Sequence, residues 1–371
     1  MDICTIVFNN DLEKIIINIE KDKTIQELIE QYFKKIKKSN LIIDNLENTS
    51  FHYNLRTINY KNNQEKIKIY FENKNSLEIS VRRLEYNNYF REYKETRLIK
   101  NNIYTSIYEA KLLNSNDNKL VAVKKIDKDR IKEDMLEDLC LTELTEEDFK
   151  PEINKFNREI KNMQICHCEN SVKIYDYYNT EKEFIIIMEL CDNTLLNELA
   201  KTKSGFSVQK IKDILLQLNN VFKKMHNYNI CHRDIKLNNI LIKYLNAEKT
   251  EFKILLSDYG ISNQIRSLTT RYKTYAGTKI IMAPEILNNE KYDDKCDLWS
   301  LGIIIYKLKT KKLPYNGKTD KEILDEIEAK GKSVLDKIDD EKLKNLLSKL
   351  LVKNPQERIS WEDYFEHEFF K

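Results

Sequence analysis

The loop sequence His232-Arg233-Asp234-Ile235-Lys236-Leu237-Asn238-Asn239 restricts the fold of this chain more than any other feature. Asp234 can accept a proton from an attacking hydroxyl group, and Asn239 on the same loop can serve as a metal ligand. A His-Arg-Asp triplet in a basic loop would often occur by chance. Lys236 and Asn239 follow Asp234 at fixed spacings of two and five residues, which argues against chance. The fold must therefore hold this loop in a shape that brings the three side chains together.

Two further motifs carry charged side chains at the ends of apolar stretches. Ser257-Asp258-Tyr259-Gly260 follows residues 252–256, which predict a strand, although Asp-Tyr-Gly alone would by default be a turn. Val121-Ala122-Val123-Lys124 predicts a strand whose final Lys124 could simply be solvated. A helical pattern farther along carries Glu159, which is available as the partner of Lys124.

Three motifs in the last third of the chain complete the series: Ala283-Pro284-Glu285, Asp297-Leu298-Trp299-Ser300-Leu301-Gly302, and Arg358. The six ordered motifs resemble those of the protein kinase family, over roughly residues 90–371. The resemblance implies a two-lobed α+β kinase fold, with a small strand-rich N-lobe, a larger helical C-lobe and ATP in the cleft between them. It also implies that Glu285 pairs with Arg358.

The same resemblance gives each catalytic residue a role. Asp234 would orient the attacking hydroxyl and Lys236 would steady the transferred phosphate. Asn239 and Asp258 would bind the magnesium ion that bridges the phosphates of ATP. Lys124 would contact those phosphates while paired with Glu159.

The resemblance also places the adenine pocket. Met188 would lie at its back, and Glu189, Leu190 and Cys191 would form the hinge whose backbone meets the adenine. A plain core methionine is an equally compatible interpretation of Met188. The remaining nucleotide-binding residues implied by the resemblance are Ile107, Ala122 and Leu241.

One part of the kinase pattern is missing. The family carries a glycine-rich loop before the lysine strand, but here the register gives Lys100-Asn101-Asn102-Ile103-Tyr104-Thr105-Ser106-Ile107, without any glycine. Glycine permits unusual backbone angles and a close approach to phosphates, and Asn102 is a partial substitute.

The segment between Lys124 and Glu159 is long for the family, and its acidic stretch resembles an insertion.

The sequence therefore predicts a protein kinase that transfers the ATP γ-phosphoryl group to protein hydroxyls. Lys236 and Gly277-Thr278 favour serine and threonine over tyrosine as acceptors. The missing glycines leave a second hypothesis open, a pseudokinase that acts as an interaction module. The retained Lys124, Glu159, Asp234, Asn239 and Asp258 oppose it.

Composition excludes several other classes of protein. The net charge is +3 although 33% of the residues are charged, so a general nucleic-acid surface is not expected. No apolar run approaches the ~18 residues of a membrane helix. Seven scattered cysteines suit reduced thiols, which predicts a cytoplasmic location and leaves a nuclear one open. Cys166-His167-Cys168 could suggest zinc, but such close ligands need a second pair, and none is evident.

Residues 1–87 predict a separate small α+β domain, with the kinase domain over residues 88–371. Strands are expected at residues 3–8, 15–19, 51–55, 67–71 and 77–81. A capping box at Thr24-Ile25-Gln26-Glu27 predicts a helix after the second strand. This order resembles the ubiquitin-like β-grasp fold. No catalytic group is visible in the segment, so a protein partner is its expected ligand.

Overall fold

The computed structural model describes residues 3–9, 14–20, 27, 31, 49–53, 56–58, 76–83, 93–112, 119–259 and 279–371. The chain divides into two compact units. The first comprises Met1–Glu137, Leu141–Ile165 and Ile174–Leu190. The second comprises Asp138–Cys140, Cys166–Lys173 and Cys191–Lys371.

The first unit opens with a five-stranded sheet. Its strands are β1 (Ile3–Asn9), β2 (Lys14–Glu20), β3 (Thr49–Tyr53), β4 (Arg56–Ile58) and β5 (Ser76–Arg83). They lie in the order β2-β1-β5-β3-β4. β1 and β5 run parallel at the centre, and the other neighbours are antiparallel. Alternation of isoleucines predicts β2 as a half-buried strand, and Ile17 is 5% exposed.

Four of the five strands predicted in this segment are present with shifted ends. The strand predicted at residues 67–71 and the boundary predicted after residue 87 lie outside the described residues. Glu27 and Gln31 are helical, as expected for the helix behind the capping box, whose other residues are not described. The separate domain therefore stays a prediction.

A second, fully antiparallel sheet follows in the first unit. Its strands are β6 (Tyr93–Asn101), β7 (Thr105–Leu112), β8 (Leu120–Asp127), β9 (Ile174–Asn179) and β10 (Glu183–Glu189), in the order β6-β7-β8-β10-β9. Small and β-branched side chains pack on one face, because alternate residues of each strand point the same way. That cluster contains Ala110, Val121, Val123, Ile185 and Ile187.

Two helices connect β8 to β9: α1 (Lys128–Leu139) and α2 (Glu146–Ile165). The apolar residues of α2 recur at helical spacing and are buried on one side, which includes Phe149, Phe156, Ile160 and Met163. Phe156 stacks on Phe184 of β10 with ring centroids 4.5 Å apart. This contact packs α2 against the second sheet.

The second unit is mainly helical. Its helices are α3 (Leu195–Ala200), α4 (Val208–Asn227), α5 (Pro284–Leu287), α6 (Lys295–Thr310), α7 (Asp320–Lys330), α8 (Glu341–Leu350) and α9 (Trp361–Phe365). Short 3₁₀ segments cover Gly331–Lys337 and Glu368–Phe370. A three-stranded sheet, β11-β12-β13, consists of Asn193–Thr194, Ile240–Tyr244 and Phe252–Leu256.

Local capping explains where these helices begin. The Ser207 hydroxyl accepts the backbone N–H of Lys210 and so caps the start of α4. Leu215, Leu218 and Phe222 of α4 are fully buried. The predicted α+β class is confirmed, with the first unit rich in strands and the second rich in helices. No described helix combines the length and apolar character that crossing a membrane requires.

Candidate active site

The lysine at the end of the β8 motif is paired with a glutamate of α2. Lys124 Nζ lies 3.2 Å from Glu159 Oε1, and both side chains are buried. Burial removes water that would screen the two charges, so separating the pair would strand a charge in an apolar interior. Helix α2 presents Glu159 because Phe156 and Ile160 on the same side are packed inwards. This pair is the candidate phosphate-binding element of the first unit.

Three predicted nucleotide-binding residues share one face of the second sheet with Lys124. Ile107 of β7 lies directly opposite Lys124 in β8. Met188 of β10 lies directly opposite Ala122, which is two residues before Lys124. Cross-strand partners point to the same face, as do residues two apart. The sheet therefore gathers these apolar side chains around the buried lysine.

The other predicted pocket residues lie near strand ends. Glu189 is the last residue of β10 and pairs with Val121. Cys191 begins a segment of the second unit and is half-buried. Leu241 lies in β12 opposite Thr194. Their contacts with a nucleotide stay predictions.

The loop between α4 and β12 orients the Asp234 carboxylate through two side chains. Lys236 Nζ lies 2.7 Å from Asp234 Oδ2. Asn239 Nδ2 donates to the same Oδ2 and to the backbone carbonyl of Asp234, both at 2.9 Å. A carboxylate held at one oxygen keeps the other in a defined direction, which suits a group that must align an attacking hydroxyl.

Asn239 and Asp258 offer oxygen ligands of the kind that Mg²⁺ prefers. Because both amide hydrogens of Asn239 are directed to Asp234, the amide oxygen is turned to the opposite side. The backbone N–H and hydroxyl of Ser257 both donate to the Asn239 carbonyl, at 2.9 and 3.0 Å. These bonds join Asn239 to the residue that directly precedes Asp258. The donor set therefore fits magnesium.

Asp258 and Arg233 adopt strained backbone conformations at this site. Their φ angles are 60° and 66°, in the left-handed region that residues with a Cβ rarely occupy. Such strain persists only where surrounding contacts hold it. Here the His232 ring nitrogen Nε2 lies 3.0 Å from the Ser257 carbonyl and so joins the two segments.

Asp297 of α6 also holds the loop that carries Asp234. Its two carboxylate oxygens accept the backbone N–H groups of His232 and Arg233, at 2.7 and 2.8 Å. Burial raises the pKa of the Asp297 carboxyl above its ordinary value, although the charge of His232 and the two backbone bonds act in the opposite direction. Sequence reasoning identified the Asp297 motif but not this anchoring role. The signal in the sequence was that Asp297 is the one charged residue within residues 296–306.

The resemblance also implied a pair between Glu285 and Arg358. Arg358 Nη1 and Nη2 donate to Glu285 Oε1 and Oε2, at 2.7 and 2.9 Å, and both side chains are almost fully buried. Further Arg358 bonds reach the backbone carbonyls of Lys295 and Val352. The segment after residue 278 is thereby tied to the segment between α8 and α9.

The zinc interpretation of Cys166-His167-Cys168 gains no support among the described residues. Burial raises the pKa of the Cys166 thiol to about 12, which opposes the thiolate that zinc binds. The one group of three described side chains close enough to hold a metal is Cys231, Cys296 and Asp297. Since both Asp297 oxygens already accept backbone N–H groups, that group lacks a ready third ligand.

Comparison with known proteins agrees with this geometry. The family model of the protein kinase domain matches residues 103–370. Calcium-dependent protein kinase 5 of Plasmodium falciparum is 34% identical over 225 residues, which are 59% of this chain and 38% of that protein. Serine/threonine-protein kinase 33 of Bos taurus is 28% identical over 232 residues, 58% of this chain and 46% of that protein. Serine/threonine-protein kinase cds1 of Schizosaccharomyces pombe is 28% identical over 225 residues, 58% of this chain and 47% of that protein.

The chain thus spans less than half the length of each of these curated relatives. Any property that depends on the unmatched segments of these relatives applies to the relatives and not to this chain. The matched region contains each side chain described above for the candidate site.

Proposed function

This chain belongs to the protein kinase family, and from that premise we propose that it transfers the γ-phosphoryl group of ATP to serine and threonine hydroxyls of proteins. The observation that carries the proposal is the Asp234 carboxylate, held by Lys236 at 2.7 Å and by Asn239 at 2.9 Å. A carboxylate in this setting can orient an acceptor hydroxyl and take its proton, while the lysine balances charge on the transferred phosphate.

The nucleotide side of the site is assigned to the first unit. Lys124, kept in place by Glu159, would bind phosphate oxygens, and the apolar side chains of Ile107, Ala122 and Met188 would cover the base. Asn239 and Asp258 would hold the magnesium ion, which neutralises charge on the phosphates when bound. The assignments of Lys124 and of the base-covering residues follow from the resemblance to protein kinases, and the magnesium assignment is supported by the oxygen donors of Asn239 and Asp258.

Substitution of Asp234 by asparagine tests the proposal directly. Asp234→Asn should reduce phosphorylation of a protein substrate about 10²- to 10⁴-fold, because the amide cannot accept the proton. Affinity for magnesium-ATP should stay near that of the wild type, because Asp234 acts on the acceptor. Turnover with labelled ATP and calorimetric ATP binding are the measurements.

Asp325→Asn is the matched control, since Asp325 is an exposed residue of α7 and the substitution is chemically the same. Its turnover should equal that of the wild type. An Asp234→Asn variant with unchanged turnover would contradict the assignment of Asp234.

Acceptor specificity can be examined with the same protein. Lys236 and the serine/threonine names of two relatives support hydroxyl groups of serine and threonine as acceptors. Gly277-Thr278, which favours the same choice, lies outside the described residues. Matched peptides that differ only in serine, threonine or tyrosine at the acceptor position should give product with the first two.

A second candidate function is a pseudokinase that serves as an interaction module. The glycine-free loop at residues 100–107 favours it, because Cβ atoms there hinder close approach to phosphates. This candidate predicts no transfer by the wild-type protein, which the Asp234 experiment would reveal.

For residues 1–87 we propose a protein partner, supported by the five-stranded sheet and the lack of catalytic residues in that segment.

A further inference from the structure

Helix α1 and the last residue of β8 hold the tip of the glycine-free loop through three hydrogen bonds. Arg130 Nη1 donates to the carbonyl of Ile103 at 2.7 Å. The backbone N–H of Asp127, just before α1, donates to the carbonyl of Tyr104 at 2.8 Å. The Tyr104 hydroxyl donates to Asp134 Oδ2. Two successive loop residues are therefore fastened to one helix and its first flanking residue.

The directions of these bonds determine where the loop amides point. In a planar trans peptide, a carbonyl and the N–H of the following residue point in opposite directions. The carbonyls of Ile103 and Tyr104 point towards the α1 side, so the N–H groups of Tyr104 and Thr105 point away from it. Successive backbone N–H groups of a loop are an anion-binding element for phosphates.

Helix α1 is a firm anchor for the loop. Asp127 Oδ1 accepts the N–H groups of Asp129 and Arg130 and so caps the helix. The Lys128 N–H donates to the Lys182 carbonyl at 2.9 Å, and Ile131 is 6% exposed. The Lys128 bond joins the start of α1 to the turn between β9 and β10, in the sheet that carries Lys124, so the loop tip is held relative to that lysine.

We infer that Arg130 and Asp134 are positioning residues for nucleotide binding, which hold the loop tip so that the N–H groups of Tyr104 and Thr105 face the phosphates of ATP. Glycine-rich loops bring amides to phosphates by having no Cβ atoms. In this chain α1 orients the amides of Tyr104 and Thr105 before ATP binds. The loop therefore loses less conformational entropy when the nucleotide binds. The inference rests on the proposed function, because the loop acts only if the protein binds ATP.

The test uses the full-length protein with Arg130→Ala, Tyr104→Phe and Asp134→Ala. Glu133→Ala is the matched control, because Glu133 is the exposed neighbour of Asp134 on α1 and also loses a negative charge. Steady-state kinetics give KM for ATP and kcat. Calorimetry gives the affinities for magnesium-ATP and for adenosine, which lacks phosphates.

Each of the three variants should raise KM for ATP about threefold to tenfold, the range expected for losing one hydrogen bond, with kcat little changed. Tyr104→Phe and Asp134→Ala should not add when combined, because they break the same bond. Adenosine affinity should equal that of the wild type in every variant. Glu133→Ala should behave as the wild type.

Three results would overturn the inference while leaving the proposed function intact: an unchanged KM in all variants, a lowered KM, or adenosine affinity that falls in parallel with ATP affinity. A lowered KM would mean that α1 holds the loop away from the nucleotide. A parallel loss would mean that the contacts only stabilise the fold. Wild-type protein that neither binds nor uses ATP would instead refute the proposed function, and this inference with it.

Discussion

Two buried ion pairs show how single residues serve different purposes in this protein. The pair of Lys124 and Glu159 joins β8 to α2 within the first unit and lies among the predicted nucleotide-binding residues. The pair of Arg358 and Glu285 lies in the second unit, where a planar guanidinium meets a carboxylate with two parallel bonds. Its role is structural, because the described hydrogen bonds of Arg358 go to Glu285 and to backbone carbonyls and not to a predicted catalytic residue.

Removal of the Arg358 charge should therefore affect stability more than any surface substitution. Arg358→Met leaves Glu285 buried without its partner, and we expect the free energy of unfolding of the second unit to fall by about 3–5 kcal/mol. Urea unfolding followed by tryptophan fluorescence is suitable, because Trp299 lies with its ring 5.3 Å from the guanidinium carbon of Arg358.

Lys353→Met provides the control for Arg358→Met. Lys353 forms an exposed ion pair with Glu328, and exposed pairs contribute little. Its unfolding midpoint should match that of the wild type. Equal midpoints for Arg358→Met and wild type would show that the buried pair does not stabilise the fold.

At the scale of elements, His226 near the end of α4 connects three helices. Its Nδ1 lies 3.1 Å from Asp294, the residue before α6, and its Nε2 lies 2.8 Å from Glu362 of α9. Partial burial lowers the pKa of His226, but the hydrogen bonds to Asp294 and Glu362 outweigh it and raise the pKa above the usual value. The folded protein therefore binds this proton more tightly than the unfolded chain.

The raised pKa predicts a pH-dependent contribution to stability. The contribution of His226 should be fully present below the unfolded pKa of about 6.5 and should be lost as pH rises through the folded pKa. Urea unfolding of wild type and His226→Gln across this range should show a wild-type advantage that shrinks with rising pH. An advantage that is constant or grows with pH would contradict this prediction.

His367 supplies a control with the opposite sign. Burial lowers the pKa of His367, and the charge of Lys349 acts in the same direction. Its contribution should be present above the unfolded pKa and lost as pH falls through the folded pKa. The wild-type advantage over His367→Gln should therefore grow with pH, which separates a local titration from a general effect of pH.

At the scale of the whole molecule, the two five-stranded sheets divide the strands of the first unit into an N-terminal set and a set that extends into the matched kinase region. Among the described residues, strands β1 to β5 pair with one another, and β6 to β10 form their own sheet. The candidate catalytic residues and the matched family region begin after residue 100. We therefore expect that deletion of residues 1–87 leaves a folded protein with the basal catalytic rate of the full chain.

Residues 1–87 expressed alone should fold as well. A dispersed backbone NMR spectrum is the expected result, since β1 to β5 would form their sheet without the rest of the chain. A collapsed spectrum, or loss of basal activity on deletion, would contradict an autonomous N-terminal domain.

The sequence by itself determined the features that depend on local spacing. The Ser207 cap and the apolar stripe of α4 follow from residues within one or two helical turns, and the loop with Asp234, Lys236 and Asn239 lies on one short segment. Such patterns are legible because helix and strand periodicities and capping act over a few residues. The α+β class and the protein kinase family could be predicted for the same reason.

Only the tertiary structure decided which distant residues meet. Asp297 reaches back to hold His232, and Arg130 of α1 reaches the loop at Ile103. In the sequence, the acidic stretch around α1 has the charge pattern of a solvated insertion, and nothing in that pattern indicates a contact with the loop. Long-range contacts depend on how elements pack, and packing is determined by the shapes of side chains on both partners together.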